Sequence, residues 1–405
     1  MATSPIFRHS PPALRRRPEK PKETSLTLFP QAARHGNCEQ PSSASTPPPV
    51  DHRSEKPAME LVGIARLAAS SPRAEAKRGT EYFLLPVKSI LNECHSDRVP
   101  FRWTVNPYRG CEFGCHYCYA RYTHEYMELD GGDFESKIYV KQDAGPLAAR
   151  DLGNKEIWGE HIAIGTATDP YQPAEKEFGA TRAILEKIAL REGLSLSITT
   201  KSNQVVRDID ILKQINARSE LMINITITTL RTRLARLLEP RAPRPDLRLE
   251  AVRKLRGAGI SVGVNIMPVL PGLTDREADL DALVCAARDA GAQWVAARVL
   301  FLMPASFKAF FSFIKEKFPK LEDRYRDWYR AYGDAPESYR QEIKERVEKL
   351  RRKYGLDSRP LRTGAQSWRS PQLQLGLGGN DNEIAGGAAA SFASAGSASQ
   401  ISDGR

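Results

Sequence analysis

Residues 106–120 read NPYRGCEFGCHYCYA and place Cys111, Cys115 and Cys118 within eight residues of a 405-residue chain that has only six cysteines. Their spacing, C-x3-C-x2-C, follows directly on a β-rich run, FRWTVNP at 101–107, so the thiols lie on a loop at the end of a strand. Gly114 relieves the backbone between the first two, and a loop this short can turn three thiolates toward one point. Three thiolates can hold three irons of a [4Fe-4S] cluster and leave the fourth iron open to a ligand from outside the chain. Full electron-transfer clusters ordinarily take four cysteines. Zinc is the competing use. Cys111, Cys115 and Cys118 with His116 or His124 make a Cys3His donor set, although structural zinc sites usually pair two knuckles and the sequence has no second C-x2-C. Of the other cysteines, Cys285 reads as a core residue of a helix, Cys38 lies in a polar arm, and Cys94 reads as a loop cysteine.

Working outward from the loop, further strand-like runs occur at 161–168 (HIAIGTAT), 194–201 (LSLSITTK), 221–229 (LMINITITT), 260–269 (ISVGVNIMPV) and 294–301 (WVAARVLF). From 161 onward their starts recur every 27 to 39 residues, the size of a βα unit. Most read as continuously apolar or Thr/Ser-substituted, as strands covered on both faces do. Helical faces lie between them: Phe178, Thr181, Leu185 and Ile188, then Val205, Ile209 and Leu212, then Leu249, Val252 and Leu255. Thr274 and Glu277 have capping-box spacing for a helix that closes near Gly291. The expected fold is α/β, a partial (βα)6 parallel barrel with C-terminal helices and disordered N- and C-terminal tails. Expected boundaries are a mostly disordered arm over 1–80, a core over 81–305 with the cysteine loop at 111–118, a helical extension over 306–361, and a flexible tail over 362–405. The tails are rich in Pro, Ser, Arg and Ala at one end and in Gly, Ala and Ser at the other, without a sustained apolar period.

The net charge of +11 permits a nucleic-acid partner without establishing one. No run of 18 apolar residues occurs, so no membrane span is expected. Six unevenly spaced cysteines do not form a disulfide framework, and the expected location is the cytoplasm.

The motif after the first strand of a βα barrel resembles the radical S-adenosylmethionine (radical SAM) superfamily. The wider set NPYRGCEFGCHYCYARYTHEY, GTATDPYQPAEKE, ITTKSNQVVRDIDIL, LLEPRAPRP and PVLPGLTD resembles the radical SAM proteins related to spore photoproduct lyase. The resemblance spans about residues 80–305. It implies a barrel of radical SAM type, a [4Fe-4S] cluster whose open iron binds S-adenosylmethionine, and an external one-electron reductant. Cleavage of the C5′–S bond then gives methionine and a 5′-deoxyadenosyl radical, which takes hydrogen from an unknown substrate. It also implies Tyr117 near the adenine. Gly165, Thr168 and Asp169 stand where related proteins carry a Gly-Gly-Glu-type motif, and Asp169 also fits a helix N-cap. Lys201 and Ser202 end the third strand, where a lysine suits a carboxylate or ribose oxygens. Thr226 and Thr228 share a face of the fourth strand, one of them toward the ribose. Glu239 and Arg241 lie in a proline-bracketed loop where Arg241 meets substrate or cofactor or else pairs with Glu239. Pro268 and Pro271 shape the cavity wall. Spore photoproduct lyase uses a cysteine beyond the cluster motif as hydrogen donor; here no cysteine lies between Cys118 and Cys285, so repair by that route is not expected. The alternative function is a zinc-stabilised, basic nucleic-acid-binding module without catalysis.

Overall fold

The structure, a computed structural model, describes residues 61–77, 79–95 and 99–357. The tails expected over most of 1–80 and from 362 onward lie outside the described residues, apart from residues 61–80. Those fold: Gly63–Ser70 is a helix and Arg73–Lys77 a strand, so the folded part begins earlier than residue 81.

Six parallel strands form the main sheet: β1 Trp103–Val105, β2 His161–Ile164, β3 Ser195–Thr200, β4 Glu220–Thr226, β5 Ser261–Val269 and β6 Val295–Val299. They lie side by side in sequence order, with Leu91–Glu93 antiparallel on the β1 edge. A doubly wound sheet reverses its strand order at a switch point; an order without reversal is that of a barrel left open between β1 and β6. The helices that follow the strands include α1 Ala180–Ile188, α2 Ile209–Arg218, α3 Pro245–Gly257 and α4 Glu277–Asp289. Then come α5 Pro304–Lys317, α6 Glu322–Tyr329 and α7 Glu337–Tyr354. The chain after α7 pairs along the β6 edge, where Val295 N donates to Asp357 O at 3.2 Å and Asp357 N to Gln293 O at 3.2 Å.

The strand registers reveal an alternation. Val105, Ile164, Ile198, Ile223 and Val262 are in register as one apolar row, and Thr200, Ile225, Val264 and Val295 as another. On the opposite face the rows are Ala163, Ser197 and Met222; Thr199, Asn224 and Gly263; and Thr226, Asn265 and Ala296. The outer face is therefore aliphatic and helix-covered, while the inner face is small and polar. The strands are buried on both faces, as read, and their Thr, Ser and Asn positions fall mainly on the inner one. At the N-terminal end of the inner face His161 bonds Ser195 Oγ at 2.9 Å and Ser197 Oγ at 2.8 Å. The Trp294 indole lies across Gly263, Nε1 donating to Asn224 Oδ1 at 3.2 Å. These groups fill the bottom of the barrel and leave its upper half for the site.

A second sheet went unread in the sequence. Its order is Arg73–Lys77, Thr80–Leu85, Lys137–Lys141, Tyr108–Arg109; the first two precede β1 and the last two lie in the long interval between β1 and β2. The expected capping box is absent. Thr274 Oγ1 instead accepts from Leu270 N at 2.8 Å, and α4 starts at Glu277 behind Arg276 without a side-chain cap. Pro268 sits within β5 at a register shift.

A Cβ at Gly263 would stand 2.2 Å from the Trp294 ring. Gly263→Ala should therefore cost about 1–3 kcal/mol of stability by overpacking, read as a lower urea midpoint with unchanged slope.

Candidate active site

The loop at 106–118 leaves the end of β1 and turns through two left-handed glycines, Gly110 (φ 82) and Gly114 (φ 61). A Cβ on Gly110 would lie 2.7 Å from Lys137 O and 2.9 Å from Phe134 O, so only glycine fits there. The loop is fastened from four sides. Cys111 N donates to Phe134 O at 2.9 Å, His116 N to Leu238 O at 3.1 Å and Arg241 N to Phe113 O at 3.2 Å. Gln172, fully buried, spans it: Oε1 accepts from Glu112 N at 2.9 Å, and Nε2 donates to Gly110 O at 3.2 Å and Thr168 Oγ1 at 2.9 Å. Thr168 Oγ1 in turn donates to Gly110 O at 2.6 Å. Buried Arg121 donates to Cys115 O at 3.4 Å and pairs with Glu135 at 2.7 Å.

Glu239 is almost fully buried in the site. Its carboxylate accepts from the Tyr117 hydroxyl, from Thr228 Oγ1 at 2.7 Å and from the Arg248 guanidinium. Arg248, 1% exposed, also donates to Thr226 O at 3.0 Å and Pro243 O at 2.8 Å. Burial alone would push the Glu239 carboxyl up, but Arg248 and Lys201 outweigh it and hold the group below its ordinary range. Burial, then Glu239, raise the Tyr117 phenol well above its usual value, so it remains a donor. Lys201 Nζ stands 5.7 Å from the Tyr117 ring centroid, and the edge of that ring meets Phe310 of α5. Burial opposes the Lys201 charge, yet Cys115 and Glu239 beside it raise its pKa above the ordinary lysine value.

Burial disfavours all three thiolates; it is the largest effect on each, and it pushes Cys115 up to about 12. Cys111 and Cys115 are buried and Cys118 is partly exposed; a bound metal cation would favour the thiolate form that burial opposes. The two histidines of the zinc alternative are turned to other partners. The His116 ring stacks on Phe313 at 4.2 Å, and His124 Nε2 bonds Lys137 O at 2.9 Å. Among the described residues no three His, Cys, Asp or Glu side chains are arranged to hold one metal ion.

The other residues singled out in the sequence divide into two groups. Tyr117, Asp169, Lys201 and Thr226 gather at the C-terminal ends of β1 to β4, around the inner face. Asp169 is no helix cap: it ties β2 to β3 by accepting from Thr200 Oγ1 at 2.6 Å, Lys201 N at 2.7 Å and Tyr171 N at 2.9 Å. Gly165 (φ 84) has Thr199 O 2.5 Å from where a Cβ would be, which packs the two strand ends closely. Thr168, Thr228 and Ser202 serve the scaffold. Ser202 Oγ accepts from Gln204 N at 3.2 Å and starts a 3-10 turn. Arg241 is exposed and donates to Glu135 O at 3.2 Å, so the partner of Glu239 is Arg248. Three groups were missed in the sequence: Arg248, Asn224 and Asn265. On the inner face, Asn224 Nδ2 and Asn265 Oδ1 are buried without a hydrogen-bond partner, one a donor and the other an acceptor. Buried amide atoms are ordinarily paired, so these two await a ligand or water.

The sequence profile described as the radical SAM superfamily matches residues 105–284. An uncharacterised protein of Mycobacterium tuberculosis is 34% identical over 308 residues, covering 75% of this chain and 89% of its own. One from Methanocaldococcus jannaschii is 35% identical over 176 residues, 44% of this chain and 63% of its own. In fold the chain is similar to spore photoproduct lyase. A structure of that enzyme with bound AdoMet and dinucleoside spore photoproduct aligns with a TM-score of 0.52 at 14% identity, covering 73% of this chain and 86% of that one.

Replacing Arg248 by Met leaves Glu239 buried and short of its main counter-charge. The expected loss is about 3–5 kcal/mol of unfolding free energy at pH 7, with part of it recovered in the Glu239→Gln, Arg248→Met double variant. Because the folded Glu239 pKa is depressed, its contribution is present above the unfolded value of about 4.3 and is lost as pH falls through the folded value. Urea titrations at pH 7 and pH 3.5 should show the single variant's deficit narrowing in acid.

Proposed function

This chain belongs to the radical SAM superfamily and is a radical SAM enzyme, and from that premise we propose that Cys111, Cys115 and Cys118 hold a [4Fe-4S] cluster at whose open iron S-adenosylmethionine binds. The family implies both groups. The observation that carries the residue assignment is the loop at the end of β1, which sets Cys111 and Cys115, both buried, and Cys118, partly exposed, in one another's field with the Lys201 charge beside Cys115 and Cys118. When bound, the cluster and its ligand supply a one-electron cleavage of the C5′–S bond that leaves a 5′-deoxyadenosyl radical to take hydrogen from a substrate.

The chain's own residues bind, orient and exclude water. Lys201, held charged, answers a carboxylate or ribose oxygen. Tyr117, pinned by Glu239, offers an immobile aromatic surface to the adenine, and Thr226 with Asn224 Nδ2 and Asn265 Oδ1 offers hydrogen bonds to a polar ligand in the barrel. Asp169 has one lone-pair direction beyond its three donors for an ammonium, with Gly165 allowing close approach. Ser202 and Thr168 act through the loops they fasten. The α5 aromatics Phe310 and Phe313, buried against Tyr117 and His116, close the loop from water. The electron comes from an external reductant, and the cytoplasm, which keeps thiols reduced, is the proposed location. Among the described residues no helix is long and apolar enough to cross a membrane.

Anaerobically reconstituted protein should bind about four irons per chain and release 5′-deoxyadenosine only when dithionite and S-adenosylmethionine are both present. Cys115→Ala should lose both. Unchanged cleavage in that variant, or one tightly held zinc in place of iron, contradicts the proposal.

A further inference from the structure

Two cations lie outside this network, Lys141 buried and Arg109 partly buried. Arg109 lies in the two-residue strand Tyr108–Arg109, and Lys141 ends the strand Lys137–Lys141. Antiparallel pairing sets Arg109 opposite Tyr139, and Lys141 N donates to Pro107 O at 3.1 Å, so the two side chains share one face at diagonal positions. Long side chains reach each other across that step. Lys141 is 5% exposed, and Arg109 Nε is buried without a hydrogen-bond partner. Among the described residues neither side chain makes an ion pair. Burial, then Arg109, lower the Lys141 pKa to about 7. Asp151, the carboxylate whose field reaches Lys141, is already occupied by Ser89, Ile90 N, Leu91 N and Arg150. Holding the Lys141 charge in a buried site beside a second cation is unfavourable, and an anion between the two offsets that cost.

A strip of tyrosines runs from this pair toward the barrel mouth. Tyr122 lies in the field of Arg109. Its ring stacks with Tyr119 at 6.4 Å and meets Tyr126 edge-on at 5.3 Å. Tyr119 and Tyr126 are 43% and 48% exposed. Tyr119 follows Cys118, and its hydroxyl donates to Thr166 O in the loop after β2.

We propose that Arg109 and Lys141 form a subsite for a phosphate group and that the tyrosine strip seats an aromatic base of the same molecule, so that a phosphorylated nucleoside unit is presented at the barrel mouth. The pair of cations matches a phosphate dianion or a backbone phosphate, and base stacking on tyrosine is sequence-tolerant. The phosphate subsite stands on these residues alone; its use for substrate rests on the radical SAM reading.

Titration calorimetry on the reconstituted holoenzyme, without dithionite and at constant ionic strength, tests this whether or not S-adenosylmethionine is cleaved. Inorganic phosphate should bind once per chain, more than 10-fold more weakly to Lys141→Met and near normally to Lys141→Arg. Deoxycytidine monophosphate should bind more tightly than phosphate, and Tyr122→Ala should remove that gain while keeping the phosphate heat. An eight-residue oligodeoxycytidine that binds more tightly than the mononucleotide identifies a nucleic-acid strand as the source of the phosphate, and equal binding identifies a free nucleotide. Should Lys141→Met not fold, a rise in wild-type unfolding temperature with phosphate, absent with chloride of equal ionic strength, supports the subsite. Absence of a phosphate-specific heat or shift in the wild type, or equal phosphate affinity in Lys141→Met, overturns it.

Discussion

A single buried carboxylate holds the upper half of the barrel together. Glu239 receives Tyr117 from the cysteine loop, Thr228 from beyond β4 and Arg248 from α3. Arg248 returns to the end of β4 through Thr226 O. A charge with almost no exposure is stable only when its hydrogen-bond capacity is filled and its sign is answered. Glu239 meets both conditions by joining the cysteine loop, 122 residues away in sequence at Tyr117, to Thr228 and Arg248, 11 and 9 residues away. The cysteine loop is thereby fixed to the sheet, and Lys201 is left over the Tyr117 ring with its charge supported from below.

The sheet divides its labour by face. Its outer rows of Val and Ile supply the hydrophobic stabilisation, and its inner rows of Ser, Thr, Asn, Gly and Ala leave space and hydrogen-bonding groups. His161 and Trp294 fill the lower end, so the room that remains lies where β1 to β6 end. Ligands gather there in parallel α/β folds generally. The aromatic face of α5 covers the loop, and Tyr325 and Tyr329 of α6 tie the extension to Pro271 O at 2.9 Å and Leu300 O at 3.1 Å.

The strand order and the loop were legible in the sequence because both rest on local pattern. Apolar runs at βα spacing and C-x3-C-x2-C need no tertiary context to be read. The second sheet was not, because Tyr108–Arg109 and Arg73–Lys77 are short and become strands only through their neighbours. Thr274–Glu277 had the spacing of a capping box, yet Leu270 N competed successfully for the Thr274 hydroxyl. Arg248 was hidden for a different reason. It sits on the same helical face as Pro245, Leu249 and Val252, and a charge on an apolar stripe is the one signal that could have revealed it. Asn224 and Asn265 gave a similar signal, polar residues at inner-face positions of buried strands, but only the register shows that they lie on one face.

The central claim is that three cysteines leave one iron for S-adenosylmethionine to occupy. Electron paramagnetic resonance of the reduced, reconstituted protein tests this directly. If the claim holds, adding S-adenosylmethionine changes the g-values of the reduced cluster, and the cofactor labelled with oxygen-17 in its carboxylate broadens the signal through contact with iron. A spectrum unaltered by S-adenosylmethionine would contradict it.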